Sequence, residues 1–173
     1  MTRKIIFSAA MSLDGFIADQ DDGYAWIQGD GNHALDTSEK WDYPAFLSTI
    51  DTVIMGRRCY ELGQHKDFID QKVIVASTRQ IDDPQVSVTA DPIATLKKLK
   101  TEDGEDIFVF GGAKLTQSLL KADLIDVFIL GIVPVILGQG IRLFEESPTI
   151  PLGLTKQTIE EGLVVLHSTK RPV

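Results

Sequence analysis

The sequence predicts an α/β fold with a central, mostly parallel sheet and flanking helices, and three observations support this prediction. Strand-like runs alternate with helical patterns through the first two thirds of the 173 residues, which is the order that gives parallel pairing. Several strand runs are continuously apolar and rich in Val and Ile, as expected for strands covered on both faces. The last third lacks helical patterns, so we expect a long strand, a loop and a closing antiparallel strand there.

Seven short apolar runs, bounded by turn residues, predict the strands. They cover residues 4–10, 52–55, 72–77, 86–89, 107–110, 126–136 and 163–169. Three helical patterns lie among them, at residues 43–50, 91–100 and 113–122. The second begins with Asp91 as its N-cap and Pro92 at its first position, and the third places Leu115 and Leu119 four residues apart.

Composition bounds the class of protein. With 43% hydrophobic and 24% charged residues, the chain is typical of one globular domain spanning residues 1–173. No apolar run approaches the roughly 20 residues of a membrane helix. The N-terminal apolar run is interpreted as a first strand rather than a signal peptide, because Asp14 follows it. The single cysteine, Cys59, excludes an internal disulfide and a multi-cysteine metal site and favours a cytoplasmic setting.

The net charge of −8 argues against a protein built to hold nucleic acid or an anionic membrane. Residues 1–52 carry 3 basic and 9 acidic side chains, whereas residues 53–121 carry 10 of each. A small anionic ligand would therefore bind the middle segment. The long, acidic, glycine-punctuated loop that leads from residue 18 to residue 42 has the length of a functional lid.

Residues suited to anions follow two of the predicted strands, at the edge where ligands collect in open α/β sheets. Gly56 is followed by Arg57 and Arg58, whose guanidinium groups would hold a phosphate at the start of a short helix. Two solvated arginines after a glycine turn are the alternative. The segment Ser77–Arg79 offers two hydroxyls and a positive charge that suit a 2′-phosphate, although this is also ordinary loop chemistry.

A Gly-Gly pair follows a third strand and opens the next helix. Gly111 and Gly112 would let a ligand approach the backbone closely while the first helical amides point at it. The spacing is neither the G-x-G-x-x-G fingerprint nor a P-loop, and a structural corner is the alternative. Because all three segments end strands of one predicted sheet, together they predict an anion site.

Other chemistries find little support. The three histidines, His33, His65 and His167, lack the spacing of metal ligands, so no metal is expected. No G-x-S-x-G nucleophile motif occurs. Cys59 lacks a histidine partner and is interpreted as a packing residue, and residues 134–140 are interpreted as a hairpin or a dimer-contact loop.

Five segments, in order along nearly the whole chain, resemble those of dihydrofolate reductase-like proteins. They are "SAAMSLDGFIA" (8–18), "VIMGRRCYE" (53–61), "VIVASTR" (73–79), "IFVFGGAKLTQSLL" (107–120) and "PVILGQGIRLF" (134–144). The "SLDG" and "PVILGQGIRLF" segments resemble the reductase domain of riboflavin biosynthesis rather than dihydrofolate reductase itself.

The resemblance implies a three-layer fold, an NADPH-dependent reductase of a small molecule, and a homodimer. By position, the cofactor phosphates would contact Gly56, Arg57 and Arg58, and the 2′-phosphate would lie against Ser77, Thr78 and Arg79. The pyrophosphate would be held by Gly111, Gly112, Ala113, Lys114 and Leu115. Ala10 and Ile17 would flank the nicotinamide, and the loop around Trp26 would be a mobile lid.

The resemblance is weaker on the substrate side. Asp42, four residues before Phe46, matches the proton-relay carboxylate of dihydrofolate reductase, with a helix N-cap as the alternative. Asp14 matches the family within "SLDG", or simply forms the turn after the first strand. Asp70 and Gln71 stand where an arginine would grip the folate tail, which disfavours dihydrofolate as substrate.

The sequence thus predicts NADPH-dependent hydride transfer to a small heteroaromatic or conjugated acceptor. One alternative is a stand-alone riboflavin-pathway reductase of a pyrimidine ribosylamine phosphate. Another is a member of the family that binds a nucleotide without turnover.

Overall fold

A computed structural model describes residues 2–172. Its strands are β1 (Ile5–Ser12), β2 (Phe16–Ala18), β3 (Ile50–Gly56), β4 (Lys72–Ala76), β5 (Val86–Thr89), β6 (Asp106–Gly111), β7 (Val127–Val133), β8 (Ile141–Arg142), β9 (Leu152–Glu160) and β10 (Leu163–Lys170). Its α-helices are α1 (Tyr43–Leu47), α2 (Arg57–Glu61), α3 (Pro92–Leu99) and α4 (Ala113–Lys121), and a 3₁₀ turn spans Gln64–Asp67.

The central sheet has eight strands in the order β5-β4-β3-β6-β1-β7-β10-β9. The strands from β5 to β7 pair in parallel, and β10 is antiparallel to both β7 and β9. This confirms the predicted α/β class, with its mostly parallel sheet and antiparallel C-terminal strand. The carboxyl ends of β1, β3, β4 and β6 therefore meet at one edge.

Two cores cover the two faces of the sheet, because side chains alternate between faces along each strand. Ile107 and Val109 of β6 belong to the core under α3 and α4. Phe108 faces the opposite core, where its ring packs edge-on against Phe46 of α1 at 5.1 Å and Phe68 at 5.9 Å. Continuous apolar runs follow from burial on both faces, as the sequence predicts.

Helix α3 begins at its predicted cap, whereas helix α1 ends earlier than the sequence predicts. Asp91 accepts a hydrogen bond from the Ala94 amide at 2.9 Å, and Pro92 opens α3. The predicted helix at residues 43–50 ends at Leu47, because Ile50 already begins β3 and is buried there. Ile50, the last residue of the predicted helix, is thus the first residue of a strand.

The structure adds three strands that the sequence patterns did not predict, namely β2, β8 and β9. β9 lies at the edge of the sheet and exposes much of its length, so it lacks the apolar run that identifies a buried strand. The first two are very short and pair only with each other. The predicted closing strand, β10, therefore forms a β-hairpin with β9, which lies within the predicted loop.

The second half of the acidic loop covers the free edge of β9. The Thr37 amide donates to the Ile159 carbonyl at 3.0 Å, and the Ile159 amide donates to the Thr37 hydroxyl at 2.9 Å. The Asp30 amide bonds the Glu161 carbonyl at 2.7 Å. This part of the loop supplies hydrogen-bond partners to backbone groups at an otherwise exposed edge of the sheet. The expectation of a lid therefore applies only to the part before Gln28.

Across residues 2–172, the helices all fall short of the length and apolarity that crossing a membrane requires. Over the same residues, no group of three or more potential His, Cys, Asp or Glu ligands is placed to hold a metal ion.

Candidate functional site

A cleft of about 940 Å³ opens at the carboxyl edge of the parallel strands. It brings together the ends of β1, β3, β4 and β6, the start of α4, and the first part of the acidic loop. Of the residues that the resemblance assigns to a cofactor, the cleft is lined by Ala10, Ile17, Gly56, Arg57, Arg58, Ser77, Thr78, Gly112, Ala113, Lys114 and Leu115. Residues far apart in sequence thus converge because their strands are neighbours and parallel.

The glycines at the end of β6 form an open backbone surface. Gly111 has φ +122°, a backbone conformation that residues with a side chain rarely adopt. Its peptide bond to Gly112 is cis. Gly112 is the N-cap of α4, and no side chain caps the helix there. A Cβ added at Gly112 would meet only the Cys59 sulfur, at 4.0 Å. The first amides of α4 therefore have no side-chain cap, which leaves them available to an anion.

A smaller recess of about 450 Å³ adjoins the cleft at the ends of β3 and β4. It is lined by Arg57, Arg58, Glu61, Ala76, Ser77, Thr78 and Arg79. The Ser77 hydroxyl accepts a hydrogen bond from the Arg79 amide at 3.1 Å, which shapes the turn. Arg57 pairs with Glu61 at 2.7 Å, whereas the Arg79 side chain has no ion pair within residues 2–172. The recess therefore presents one uncommitted cation.

Arg58 ties the first part of the acidic loop to α2. Its Nε lies 3.1 Å from a carboxylate oxygen of Asp22, and a second guanidinium nitrogen contacts the same oxygen. The Asp22 carboxylate raises the pKa of Arg58 further above its ordinary value. Tyr24 and Ile27 of the same segment line the cleft, while Trp26 donates to the Gly23 carbonyl at 3.1 Å.

Asp42 lies in the capping position. Its carboxylate accepts a hydrogen bond from the Ala45 amide at 2.9 Å at the start of α1. The residue is exposed and does not line the cleft. Of the two interpretations of Asp42, the contacts show the helix cap.

Replacing Asp42 therefore has a small expected effect. Asp42→Ala should lower the free energy of unfolding by about 1 kcal/mol through loss of the cap, and Asp42→Asn, which still caps, by less. Urea unfolding followed by circular dichroism measures both. If Asp42→Asn instead slowed turnover of an acceptor without loss of stability, the result would support the proton-relay interpretation.

Asp14 holds two family-like segments together. It accepts hydrogen bonds from the Ser12 hydroxyl at 2.6 Å and from the Gly138 and Leu137 amides at 2.8 and 3.1 Å. These bonds, led by that from Ser12, lower the pKa of Asp14 to about 2. Asp14 does not line the cleft, so its contacts are those of a clamp between the β1–β2 turn and the 134–140 loop.

Several lining residues carry no motif and were not predicted. They include Leu62, Gln64 and Asp67 between α2 and β4. Only the chain path across the end of the sheet brings them to the cleft. Cys59, interpreted as a packing residue, is half-buried and also lines the cleft, and burial raises the pKa of its thiol. Gly111 lines neither cavity, and Arg79 lines only the recess.

Comparisons with known proteins agree with this architecture. The family model of the RibD C-terminal domain matches residues 3–165. Uncharacterized protein YwjB of Bacillus subtilis (strain 168) is 36% identical over 156 residues, which cover 84% of this chain and 85% of that protein.

Three solved structures share the fold. A Shewanella sp. PV-4 protein named for riboflavin biosynthesis has a TM-score of 0.79 at 24% identity, over 99% of this chain and 100% of that one. A Thermotoga maritima diaminohydroxyphosphoribosylaminopyrimidine deaminase/5-amino-6-(5-phosphoribosylamino)uracil reductase has a TM-score of 0.71 at 16% identity, over 98% and 57%. Enterococcus faecalis dihydrofolate reductase, complexed with NADP(H), has a TM-score of 0.64 at 14% identity, over 99% and 100%. These likenesses confirm the predicted dihydrofolate reductase-like fold.

Proposed function

The chain belongs to the RibD C-terminal domain family, and we propose that it is an NADPH-dependent reductase of a small heteroaromatic or conjugated acceptor. One observation carries the proposal. A glycine-lined helix start and an arginine-bearing recess, each suited to phosphate, belong to adjoining cavities at the same edge of the sheet. A dinucleotide with a pyrophosphate and a 2′-phosphate needs both at once.

The residues present fit NADPH. The uncapped amides of Ala113–Leu115 and the Lys114 side chain would hold the pyrophosphate. Arg79, with Ser77 and Thr78, would hold the 2′-phosphate, which accounts for a preference over NADH. Ala10 and Ile17 would flank the nicotinamide, where small and apolar side chains leave room for a flat ring.

When bound, NADPH supplies the hydride, so this chain supplies binding and orientation. Small and apolar side chains of β1 and β2, those of Ala9, Ala10 and Ile17, line the cleft at the expected nicotinamide position. In the present arrangement neither Asp14 nor Asp42 lines the cleft. The proton that completes reduction of the acceptor is therefore assigned to solvent that enters at the cleft mouth.

A stand-alone riboflavin-pathway reductase is the second candidate, since the Thermotoga protein of the same fold is named for reduction of a phosphoribosylamino uracil. A nucleotide-binding protein without turnover is the third. Homodimer assembly and a cytoplasmic location stay predictions.

The proposal is tested by titrating the purified protein with NADPH and with NADH while following cofactor fluorescence. We expect saturable NADPH binding and at least about tenfold weaker NADH binding, because one charge-assisted contact is lost. Absence of saturable NADPH binding at hundreds of micromolar would reject the proposal.

The Asp22–Arg58 pair predicts an effect on cofactor affinity. Asp22 forms an ion pair with the Arg58 guanidinium, which a phosphate would otherwise contact, and both side chains are partly exposed. Asp22→Asn should therefore tighten NADPH binding, by no more than about fivefold, since exposed ion pairs contribute about 0–1 kcal/mol.

Asp21→Asn is the matched control for this variant, because Asp21 is an adjacent carboxylate with no ion pair in the described chain. It should leave the affinity unchanged. Weaker NADPH binding in Asp22→Asn than in the control would show that the pair aligns Arg58 instead of competing for it.

A further inference from the structure

The recess at the ends of β3 and β4 has two walls from different parts of the chain. One wall is α2, which contributes Arg57, Arg58 and Glu61, and the other is the segment 77–79 that follows β4. A phosphate held between the walls would contact donors on both sides. Because hydrogen bonds depend steeply on distance and angle, the separation of the walls decides how well the recess holds it.

Asp83 connects the two walls behind the recess. It follows Arg79 in the β4–β5 connection, and one of its carboxylate oxygens accepts a hydrogen bond from the Tyr60 hydroxyl at 2.9 Å. Tyr60 belongs to α2 and directly precedes the recess residue Glu61. The bond therefore ties the part of the chain that carries Arg79 to the helix that carries Arg57.

His65, in the 3₁₀ turn after α2, supports the same carboxylate. Its Nε2 lies 3.8 Å from the Asp83 oxygen that Tyr60 contacts, and its ring packs against the Tyr60 ring with centroids 4.5 Å apart. The His65 side chain is 7% exposed, and its Nδ1 is buried without a hydrogen-bond partner in the described chain. Since an unpaired buried N–H is costly, the proton of the neutral ring is assigned to Nε2, which faces Asp83.

Asp83 is an ionised acceptor in this cluster. Its second oxygen accepts a hydrogen bond from the Gln85 amide at 2.9 Å, and this bond, followed by that from Tyr60, lowers the pKa of Asp83. The contact with Asp83 raises the pKa of the Tyr60 hydroxyl, which therefore keeps its proton and donates. Groups from α2, from the turn after it and from the β4–β5 connection thus converge on one carboxylate.

The chain between the segment 77–79 and Asp83 has few other attachments. Ser77 is fixed from one side, since its amide donates to a carbonyl at the end of β5 at 2.9 Å. From residue 78 to residue 82, no hydrogen bond to another strand or helix forms within the part of the chain that the structure describes, and Ile81 adds an apolar contact. The position of Arg79 therefore depends on the anchors on either side of it, Ser77 and Asp83.

We infer that Asp83 is a positioning residue for the recess. Through Tyr60 and His65 it fixes the segment 77–79 relative to α2, and it thereby sets the selectivity for a cofactor with a 2′-phosphate. The inference rests on the proposed function and deepens it, since Asp83 lines neither cavity. By its charge alone Asp83 would repel a phosphate, so a favourable effect of Asp83 on phosphate binding identifies positioning.

The test measures the dissociation constants of NADPH and NADH for Tyr60→Phe and Asp83→Ala by fluorescence titration. We expect each variant to bind NADPH about three- to tenfold more weakly, and NADH as the wild type does, because one anchor of the Arg79 segment is lost. Tyr60→Phe keeps the ring against His65 and changes no charge, so it isolates the hydrogen bond.

Asp82→Ala is the matched control. Asp82 is the neighbouring exposed carboxylate and makes no ion pair or side-chain hydrogen bond within residues 2–172. Its removal takes away the same charge without the anchor, so NADPH binding should not weaken.

A double-mutant cycle assigns the effect to the recess. If Asp83 acts by placing Arg79, Asp83→Ala should weaken NADPH binding by less than about twofold in the Arg79→Ala background. Full additivity of the two losses, wild-type NADPH affinity in both Tyr60→Phe and Asp83→Ala, or an equal loss of NADPH and NADH affinity would overturn the inference. Absence of NADPH binding by the wild type would reject the proposed function, and the inference with it.

Discussion

Replacing Gly112 by valine is expected to weaken NADPH binding about 100-fold and to leave the fold intact. Gly112 has φ −78°, which any residue adopts, and an added Cβ would meet no atom closer than the Cys59 sulfur at 4.0 Å. The new side chain would therefore fill the space proposed for the pyrophosphate without disturbing the protein around it. Forcing extra methyl groups into a contact surface costs about 1–3 kcal/mol, which at its upper end is the stated factor.

Gly112→Ala is the graded control and should have a smaller effect than Gly112→Val. Isothermal titration calorimetry measures NADPH affinity, and the thermal unfolding midpoint reports on the fold. Wild-type NADPH affinity in a folded Gly112→Val protein would show that the start of α4 is only a turn between strand and helix and does not bind a phosphate.

The second large effect is expected from Arg79→Ala. The Arg79 side chain is exposed, has no ion pair in the described chain, and lines the recess with Ser77 and Thr78. If it contacts the 2′-phosphate, its loss should weaken NADPH binding about tenfold, the lower end for a charge-assisted hydrogen bond because the site is open to water. NADH, which lacks that phosphate, should bind as before.

Arg171→Ala supplies the matched control, because Arg171 is an exposed arginine beyond β10 that lines neither cavity. Fluorescence titration of Arg79→Ala and Arg171→Ala with NADPH and with NADH gives the four dissociation constants to be compared. An equal loss of NADPH and NADH affinity in Arg79→Ala would mean that Arg79 acts on the fold or on another part of the cofactor.

The sequence was most informative where structure follows from strand burial and strand order. Runs such as residues 107–110 are apolar on both faces because the sheet is covered on both faces, so they identify strands without further context. Since parallel strands end at one edge, Gly56, Ser77 and Gly112 come together whatever the details of the loops. The proposed cofactor half of the site could therefore be predicted from short segments.

The other half could not, for physical reasons that differ by residue. Leu62, Gln64 and Asp67 reach the cleft only through the path of the chain after α2, which no local pattern encodes. The carboxylate of Asp42 suits either a cap or a relay in sequence, and the structure adds the capping hydrogen bond from the Ala45 amide, while the relay stays a prediction. β9 is an edge strand, and its polar, half-exposed sequence matches that of a loop.

The most direct test of the central claim is a crystal structure of the protein with NADPH bound. We predict a pyrophosphate within hydrogen-bond distance of the first α4 amides, next to Gly112, and a 2′-phosphate against Ser77 and Arg79. The nicotinamide should lie between Ala10 and Ile17. A cofactor bound elsewhere, or bound here with its nicotinamide end against Ser77 and Arg79, would contradict the account.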